Sequence, residues 1–231
     1  MQLDLGVEIR RLTSCKMTGV IAPSITVETE EEFKASVARI EGFASRVHID
    51  VSDGAFAPVF MVEPEKIWWP RQWVVDIHAM VTTPMDYLDR LVSLKPNLII
   101  FHAETGVDLL PIMENIKRLG IKAGIALLKQ TVPATVSTAI KAADHVLVFS
   151  GDLGHYGGTA SLMQLEKVRL IKAINPTVEI GWDGGISVDN AFTLSQGGVN
   201  VFNIGGALAK ADDPASVYAT LVREINKQGV I

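Results

Sequence analysis

The chain has 231 residues, of which 48% are hydrophobic and 20% are charged. This is enough apolar material for one large core, which excludes a disordered chain and a fibrous repeat. The formal net charge is −5 and no run of Lys or Arg is longer than two residues, so nucleic acid is not expected as a partner.

Cysteine usage and the start of the chain bear on its compartment. The single cysteine, Cys15, can form neither an internal disulfide nor a zinc-ribbon site, which suits a reducing compartment. Residues 1–16 mix charged with apolar side chains and contain no continuous hydrophobic run, so no secretion signal is predicted. The sequence also lacks the run of about 18 apolar residues that a membrane-spanning helix needs. We therefore expect a cytoplasmic protein that does not bind membranes.

Short apolar runs rich in Val and Ile alternate with longer segments of helical spacing along most of the chain. The predicted strands are residues 19–22, 46–51, 74–80, 97–102, 122–127, 145–150, 178–182 and 199–204. The predicted helices are residues 30–40, 85–93, 109–119, 134–142, 162–174, 188–196 and 215–226, with a short, weak candidate at residues 64–69.

Eight strand–helix units without a linker predict a single-domain α/β protein, a (β/α)8 TIM barrel over residues 18–231. Residues 1–17 are predicted to form an N-terminal extension. The alternative is an open doubly wound sheet, but residues 21–25 read Ile-Ala-Pro-Ser-Ile where that fold carries Gly-x-Gly-x-x-Gly. A barrel places its chemistry at the C-terminal ends of the strands.

Two neighbouring strands carry ionisable residues near those ends. In the second strand the alternation of a β-strand puts His48 and Asp50 on one face, and in the third strand it aligns Asp76, His78 and Met80. Two imidazoles and a carboxylate on adjacent strands fit a divalent-metal site. Alternatively, such a histidine fills the barrel interior with a hydrogen bond.

Glycine pairs follow the seventh and eighth strands. Asp183 precedes Gly184 and Gly185, and residues 205 and 206 are both glycine. Glycines let backbone N–H groups approach an anion closely, and the loops after these two strands often hold a phosphate in barrel enzymes. A phosphorylated substrate is therefore one hypothesis, and tight strand-to-helix turns are the other.

Several motifs occur together in an order that is specific where each alone is not. They are His-Ile-Asp-x-x-Asp-Gly at 48–54, Asp-Ile-His-x-Met-Val at 76–81, Phe-His-x-Glu at 101–104 and Asp-Gly-Gly at 183–185, joined by Ala-Pro-Ser-Ile at 22–25, Gly-Ile-Ala-Leu at 124–127 and Gly-Gly at 157–158. In these motifs, which span roughly residues 18–228, the chain resembles the ribulose-phosphate 3-epimerase family.

The resemblance implies an isomerase that inverts the carbon next to the carbonyl of a phosphorylated ketose, by default ribulose 5-phosphate or xylulose 5-phosphate. It implies one divalent ion, zinc, iron, manganese or cobalt, bound by His48, Asp50, His78 and Asp183. Asp50 and Asp183 would also be the acid/base pair. The implied substrate contacts are Ser24, Met80, Gly157, Gly158, Gly184, Gly185, Gly205 and Gly206. Barrels of this family are often oligomeric, so a homo-oligomer is expected.

The acid/base pair agrees with the chemistry of inversion. A single base returns a proton to the face it came from, so inversion is most simply achieved by two carboxylates on opposite sides of the substrate.

The chain also departs from the family pattern. Ser52 stands where a methionine is usual, Thr26 where an apolar residue is common, and Gly206 where Ser is typical. In the family, the loop that corresponds to residues 150–158 acts as a lid and usually has a sequence like Glu-Pro-Gly-Phe-Gly-Gly. In this chain the loop reads Ser-Gly-Asp-Leu-Gly-His-Tyr-Gly-Gly. These departures keep a hexulose 6-phosphate open as the substrate. A non-catalytic phosphosugar-binding barrel is a further alternative. A related decarboxylase is disfavoured, because it would need a Lys on the third strand, where His78 stands and no Lys is near.

Overall fold

The computed structural model describes residues 19–228. The predicted N-terminal extension and Cys15 lie outside the described residues, so that domain boundary stays a prediction. Within residues 19–228 the chain forms eight parallel strands that close in sequence order into a barrel. The predicted (β/α)8 barrel is confirmed, and the open doubly wound sheet is wrong. No helix in this range is both long and apolar enough to cross a membrane.

The strands agree closely with the apolar runs of the sequence. They are β1 Val20–Ile25, β2 Arg46–Ser52, β3 Val74–Met80, β4 Leu98–His102, β5 Lys122–Leu127, β6 His145–Phe149, β7 Glu179–Asp183 and β8 Val201–Ile204. Nearly all strand residues are buried, as expected of a parallel sheet covered by helices. β7 extends one residue beyond its prediction, so Asp183 ends a strand rather than starting a loop.

The helices surround the barrel. They are α1 Glu30–Ile40, α2 Pro84–Ser93, α3 Leu110–Arg118, α4 Ser137–Ala142, α5 Leu165–Ile174, α6 Val188–Gln196, α7 Gly206–Ala209 and α8 Pro214–Ile225. Local chemistry explains several starts. Thr29 accepts the Glu32 N–H at 3.2 Å, while the Glu32 carboxylate accepts the Thr29 N–H at 3.1 Å, which forms a capping box. Asp213 caps α8 ahead of Pro214, because its carboxylate accepts the Ser216 N–H at 3.0 Å.

The predicted helix at residues 64–69 is wrong. Only a 3-10 turn at Pro64–Lys66 forms there. Pro70 explains the early stop, because the residue before a proline avoids helical backbone angles and proline donates no hydrogen bond. The short helix α7, directly after β8, was not predicted, since four residues carry no periodic signal.

The barrel has an apolar layer outside and a mixed layer inside. Helix-facing strand residues such as Ile99 and Phe101 belong to one large core cluster. Their neighbours Leu98 and Ile100 form a separate small cluster with Ala126 and Leu147. Alternation along the strands puts the second set inside the barrel, at midheight between two polar layers.

One polar layer closes the end of the barrel where the strands begin. The Arg46 guanidinium donates to Asp76 at 2.6 Å and to both oxygens of Glu179 at 2.9 and 2.8 Å. His145 Nδ1 lies 2.8 Å from Glu179 Oε2, and Asn97 donates to Asp76 at 2.8 Å. This network is far along the strands from their C-terminal ends, because Arg46, His145 and Glu179 are each the first residue of a strand.

Arg46→Met should therefore destabilise the fold strongly. Asp76 is 1% exposed and would keep only Asn97 as a side-chain partner, and a buried carboxylate that loses its cation costs about 3–5 kcal/mol. Urea unfolding of the variant measures this loss. Arg223→Met on the exposed face of α8 is the matched control, expected to change stability by less than about 0.5 kcal/mol. A loss below about 1 kcal/mol for Arg46→Met would contradict the role assigned to Arg46.

Candidate active site

Four ionisable side chains meet inside the barrel at the C-terminal ends of its strands. Asp50 on β2 lies opposite His78 on β3, and Asp183 ends β7. With His48 they form a group, called here the ligand cluster, whose ligand atoms all lie within 4.8 Å of one another. His48, Asp50 and His78 are buried and Asp183 is partly exposed. The resemblance to the family implied this set of four residues, and the closed barrel brings all of them together.

The two carboxylates flank one imidazole. His48 Nε2 lies 3.2 Å from Asp50 Oδ1 and 3.3 Å from Asp183 Oδ2. His78 Nδ1 lies 2.8 Å from the same Asp50 oxygen. Burial alone would lower the pKa of His48, but the contacts with Asp183 and Asp50 outweigh it and raise that pKa to about 10. Burial would raise the pKa of Asp50, and His48 and His78 instead hold it far below its usual range.

These residues fit a divalent metal ion. Although His48 Nε2 touches both carboxylates, neither contact has hydrogen-bond geometry, and among the described residues this buried nitrogen has no hydrogen-bond partner. A buried polar atom without a partner is costly unless something else satisfies it. Two imidazole nitrogens and two carboxylate oxygens are ligands that suit first-row divalent metals. The donor chemistry and the unpaired nitrogen therefore both favour a cation at this point.

A second row of side chains orients His78. Its Nε2 lies 2.8 Å from His102 Nε2, and His102 Nδ1 lies 3.2 Å from Glu104 Oε2. Burial lowers the pKa of His102 to about 4, so this ring is neutral near pH 7. A neutral His102 that donates to Glu104 accepts the His78 Nε2–H, which leaves the lone pair of His78 Nδ1 facing Asp50 and the ligand cluster.

This role of His102 and Glu104 was not predicted from the sequence. The signal for it was the Phe-His-x-Glu motif, to which no function was assigned. Glu104 is itself fixed, because its other oxygen accepts the Leu128 N–H at 2.9 Å and the hydroxyl of Thr131.

A cavity of about 500 Å³ opens above the four ionisable residues. Asp50 and Asp183 reach its wall. Every residue that the resemblance implied as a substrate contact lines it as well, namely Ser24, Met80, Gly157, Gly158, Gly184, Gly185, Gly205 and Gly206. Asn203 lines it too and was not predicted; within residues 19–228 its buried amide atoms, like the Ser24 hydroxyl, have no hydrogen-bond partner. Such unpaired groups at a cavity wall are suited to binding a polar ligand.

Two of the glycines have a structural reason of their own. A Cβ at Gly184 would lie 2.0 Å from Gly151 N, and one at Gly185 would lie 2.0 Å from Ala160 N. Both residues also have positive φ angles, 101° and 70°. The Gly185 N–H donates to Gly157 O at 3.0 Å, so it is already paired. The tight-turn interpretation therefore accounts for this pair without a phosphate.

The loop after β6 covers one side of the cavity. Its Tyr156 hydroxyl accepts the Thr26 N–H at 2.8 Å, and the Thr26 hydroxyl donates to Asp50 Oδ2 at 2.5 Å. Neither residue was predicted as part of the site, although Thr26 was noted as a departure from the family pattern. Asp152 and His155, on the same loop, lie exposed at the rim.

Comparison with known proteins gives a consistent family. A model of the Ribulose-phosphate 3 epimerase family matches residues 20–209. The ribulose-phosphate 3-epimerase of Helicobacter pylori is 31% identical over 203 residues, which cover 84% of this chain and 92% of that protein. The enzyme of the same name from Aquifex aeolicus is 31% identical over 183 residues, 76% of this chain and 82% of that protein.

Solved structures agree on the fold. The 3-hexulose-6-phosphate synthase from Salmonella typhimurium matches with a TM-score of 0.65 at 16% identity, covering 89% of this chain and 98% of that chain. At this identity the likeness concerns the barrel alone.

The ligand cluster predicts metal binding that is linked to protons. In protein stripped of metal, His48 carries a proton at neutral pH because its pKa is about 10, and only the neutral ring can bind an ion. We expect one equivalent of Co²⁺ to bind with release of about one proton, and its affinity to rise about tenfold per pH unit below that pKa. Isothermal titration in buffers of different ionisation enthalpy measures both.

His48→Gln and His78→Gln should each weaken Co²⁺ binding by at least about 100-fold, whereas His155→Gln at the exposed rim is the matched control. Binding that survives both substitutions, or that releases no proton, would contradict this assignment.

Proposed function

The chain belongs to the ribulose-phosphate 3-epimerase family, and we propose that it interconverts ribulose 5-phosphate and xylulose 5-phosphate by inverting C3. The observation that carries the proposal is the pair of carboxylates, Asp50 and Asp183, which approach His48 Nε2 from two strands and both line the cavity. Membership of the family makes the protein an isomerase, and the substrate, the metal and the residue roles are proposed.

Inversion needs a proton to leave one face of C3 and another to arrive on the opposite face. β2 and β7 are separated in the closed barrel by β1 and β8, so Asp50 and Asp183 enter the cavity from different directions. One carboxylate, ionised, takes the proton from C3 while the other, protonated, delivers its proton to the opposite face. The reverse reaction uses the same two groups with their protonation states exchanged.

His48, Asp50, His78 and Asp183 would hold one divalent ion. Such an ion supplies Lewis-acid stabilisation for the negative charge that develops on the substrate oxygens when C3 loses its proton. Zinc, iron, manganese and cobalt all suit this set. The hydrogen-bonded row His102–Glu104 supports the set because it holds His78 in one tautomer.

The remaining cavity residues suit a phosphorylated ketose. The Ser24 hydroxyl is buried near Asp50 at the cavity wall and could donate to a substrate oxygen, while Met80 offers an apolar surface. The glycine turns at 157–158, 184–185 and 205–206 line the same cavity, and we expect the phosphate to bind beside them.

Two alternatives carry less support. A hexulose 6-phosphate was suggested partly by Ser52, but that side chain is buried and its hydroxyl accepts the Gly54 N–H at 3.2 Å. A non-catalytic sugar-phosphate barrel would not need carboxylates on both sides of the ligand cluster. A homo-oligomer in the cytoplasm remains the expectation.

Proton exchange at C3 tests the proposal. Incubation of metal-loaded protein with ribulose 5-phosphate in deuterated water should replace the C3 proton by deuterium and form xylulose 5-phosphate, both followed by NMR. Asp50→Asn and Asp183→Asn should each lower the rate by about 10²–10⁴-fold, because each removes one proton-transfer group. Asp89→Asn, on the exposed surface of α2, is the matched control and should keep the wild-type rate.

The outcome separates the alternatives. Exchange with hexulose 6-phosphates alone would transfer the assignment to that substrate. A protein that binds these sugar phosphates without exchange would contradict catalysis and favour the binding barrel.

The phosphate position can be tested at Gly206. A Cβ there would meet Gly157 Cα and N at 3.4 Å, an ordinary contact, so the fold tolerates a side chain. Gly206→Ser restores the residue typical of the family and adds a hydroxyl donor, and a hydrogen bond to a charged group should lower KM by about 3- to 10-fold with little change in kcat. Gly206→Ala adds the Cβ without the hydroxyl and should not lower KM. Equal KM values for the two variants would argue against a phosphate at this position.

A further inference from the structure

We propose that Thr26 is a positioning residue for Asp50, and that Tyr156 connects it to the lid loop, defined here as residues 150–160. This inference rests on the proposed function, since it assumes that Asp50 transfers a proton. It adds two residues that the family motifs do not include.

Thr26 binds the Asp50 oxygen that does not face the histidines of the ligand cluster. β1 and β2 pair with Ser24 opposite His48 and Ile25 opposite Ile49, so the next residue, Thr26, comes opposite Asp50. Its hydroxyl donates to Asp50 Oδ2 at 2.5 Å. The other oxygen, Oδ1, faces both histidines of the ligand cluster. With contacts on both oxygens, the carboxylate cannot rotate about its terminal bond without losing one of them.

A hydroxyl suits this position better than a fixed donor. It donates to Asp50 Oδ2 when the carboxylate is ionised, and it can turn to accept a hydrogen bond when that oxygen carries a proton. An acid/base group passes through both states in each turnover. Thr26 therefore keeps Asp50 hydrogen-bonded and in one orientation before and after proton transfer.

Tyr156 fixes the backbone of Thr26 from the lid loop. Its hydroxyl accepts the Thr26 N–H at 2.8 Å. The ring lies against Gly205, where an added Cβ would come within 2.5 Å of the ring atom Cδ1, so the absence of a side chain at 205 makes room for the ring. The phenol is thus held by packing on one side and by the hydrogen bond on the other.

The result is a continuous connection from the lid loop to a proton-transfer group. Tyr156, Thr26 and Asp50 are joined by two hydrogen bonds that run from the loop after β6, through the residue after β1, to β2. A lid loop in this position should therefore favour the reactive orientation of Asp50, and displacement of Tyr156 should loosen it.

Kinetics of four variants test the connection. Thr26→Val keeps the shape and removes the hydroxyl, so kcat for C3 exchange should fall about tenfold with KM changed less than about threefold. Thr26→Ser should recover most of the lost rate. Tyr156→Phe should lower kcat/KM about three- to tenfold, and the double variant Thr26→Val/Tyr156→Phe should lose at least about threefold less than the product of the single losses.

Matched controls are Thr220→Val on α8 and Tyr87→Phe on α2, both outside the cavity, with no expected change. Wild-type kcat in Thr26→Val, or single losses that simply multiply in the double variant, would overturn the inference.

A readout that needs no activity separates this inference from the proposed function. Amide hydrogen exchange at Thr26, followed by NMR, should be slow in the wild type and at least about tenfold faster in Tyr156→Phe. An active wild type whose Thr26 amide is unaffected by Tyr156→Phe would overturn the link to the lid loop. A protected amide in a protein that exchanges no phosphoketose would support the contact and overturn the positioning role of Thr26 together with the proposed function.

Discussion

The approach of two carboxylates to the buried imidazole of His48 is the constraint on which the rest of the site depends. Asp50 and Asp183 both approach Nε2 of an imidazole that is 0% exposed. Negative charges this close in a poorly hydrated barrel repel each other strongly unless a cation lies between them. A proton on His48 or a bound metal ion can supply that positive charge, and only the ion also leaves His48 free as a neutral ligand. The proton and the metal ion therefore compete for His48, and this competition links metal binding to pH.

The two ends of the barrel use buried charge differently. Where the strands begin, Arg46 donates short hydrogen bonds to Asp76 and Glu179, so its positive charge is balanced by the two carboxylates. Where the strands end, His48 Nε2, the Ser24 hydroxyl and the Asn203 amide lack hydrogen-bond partners within the described part of the chain. Polar atoms buried without partners reduce stability, and these three lie at the end where barrel enzymes carry function. The closed end provides the rigid frame that holds the open end in place.

Much of the fold and of the ligand cluster could be predicted because both follow from local pattern. Strand alternation indicates which residues face inward, and parallel strands bring their C-terminal ends together, so His48, Asp50 and His78 could be grouped from the pattern alone. Asp183 joined this set only through the resemblance to the family. The contact between Thr26 and Tyr156 joins residues 130 positions apart through an irregular loop, and no periodicity encodes it. The pairing of His78 with His102 depends likewise on ring orientations that only the packed barrel determines.

The lid loop contacts the surroundings of both carboxylates of the proposed acid/base pair. On one side Tyr156 binds the backbone next to β1, and through Thr26 it reaches Asp50. On the other side the Ser150 N–H donates to the backbone oxygen of Asp183 at 2.7 Å, and Gly157 O accepts the Gly185 N–H. Glycine at 184 and 185 is what permits this close approach. Since one loop contacts the surroundings of both carboxylates, its sequence can adjust their relative orientation without any change to the ligand cluster itself. Variation of this loop is therefore a route by which a barrel with the same proposed acid/base pair can adapt to a different phosphorylated ketose.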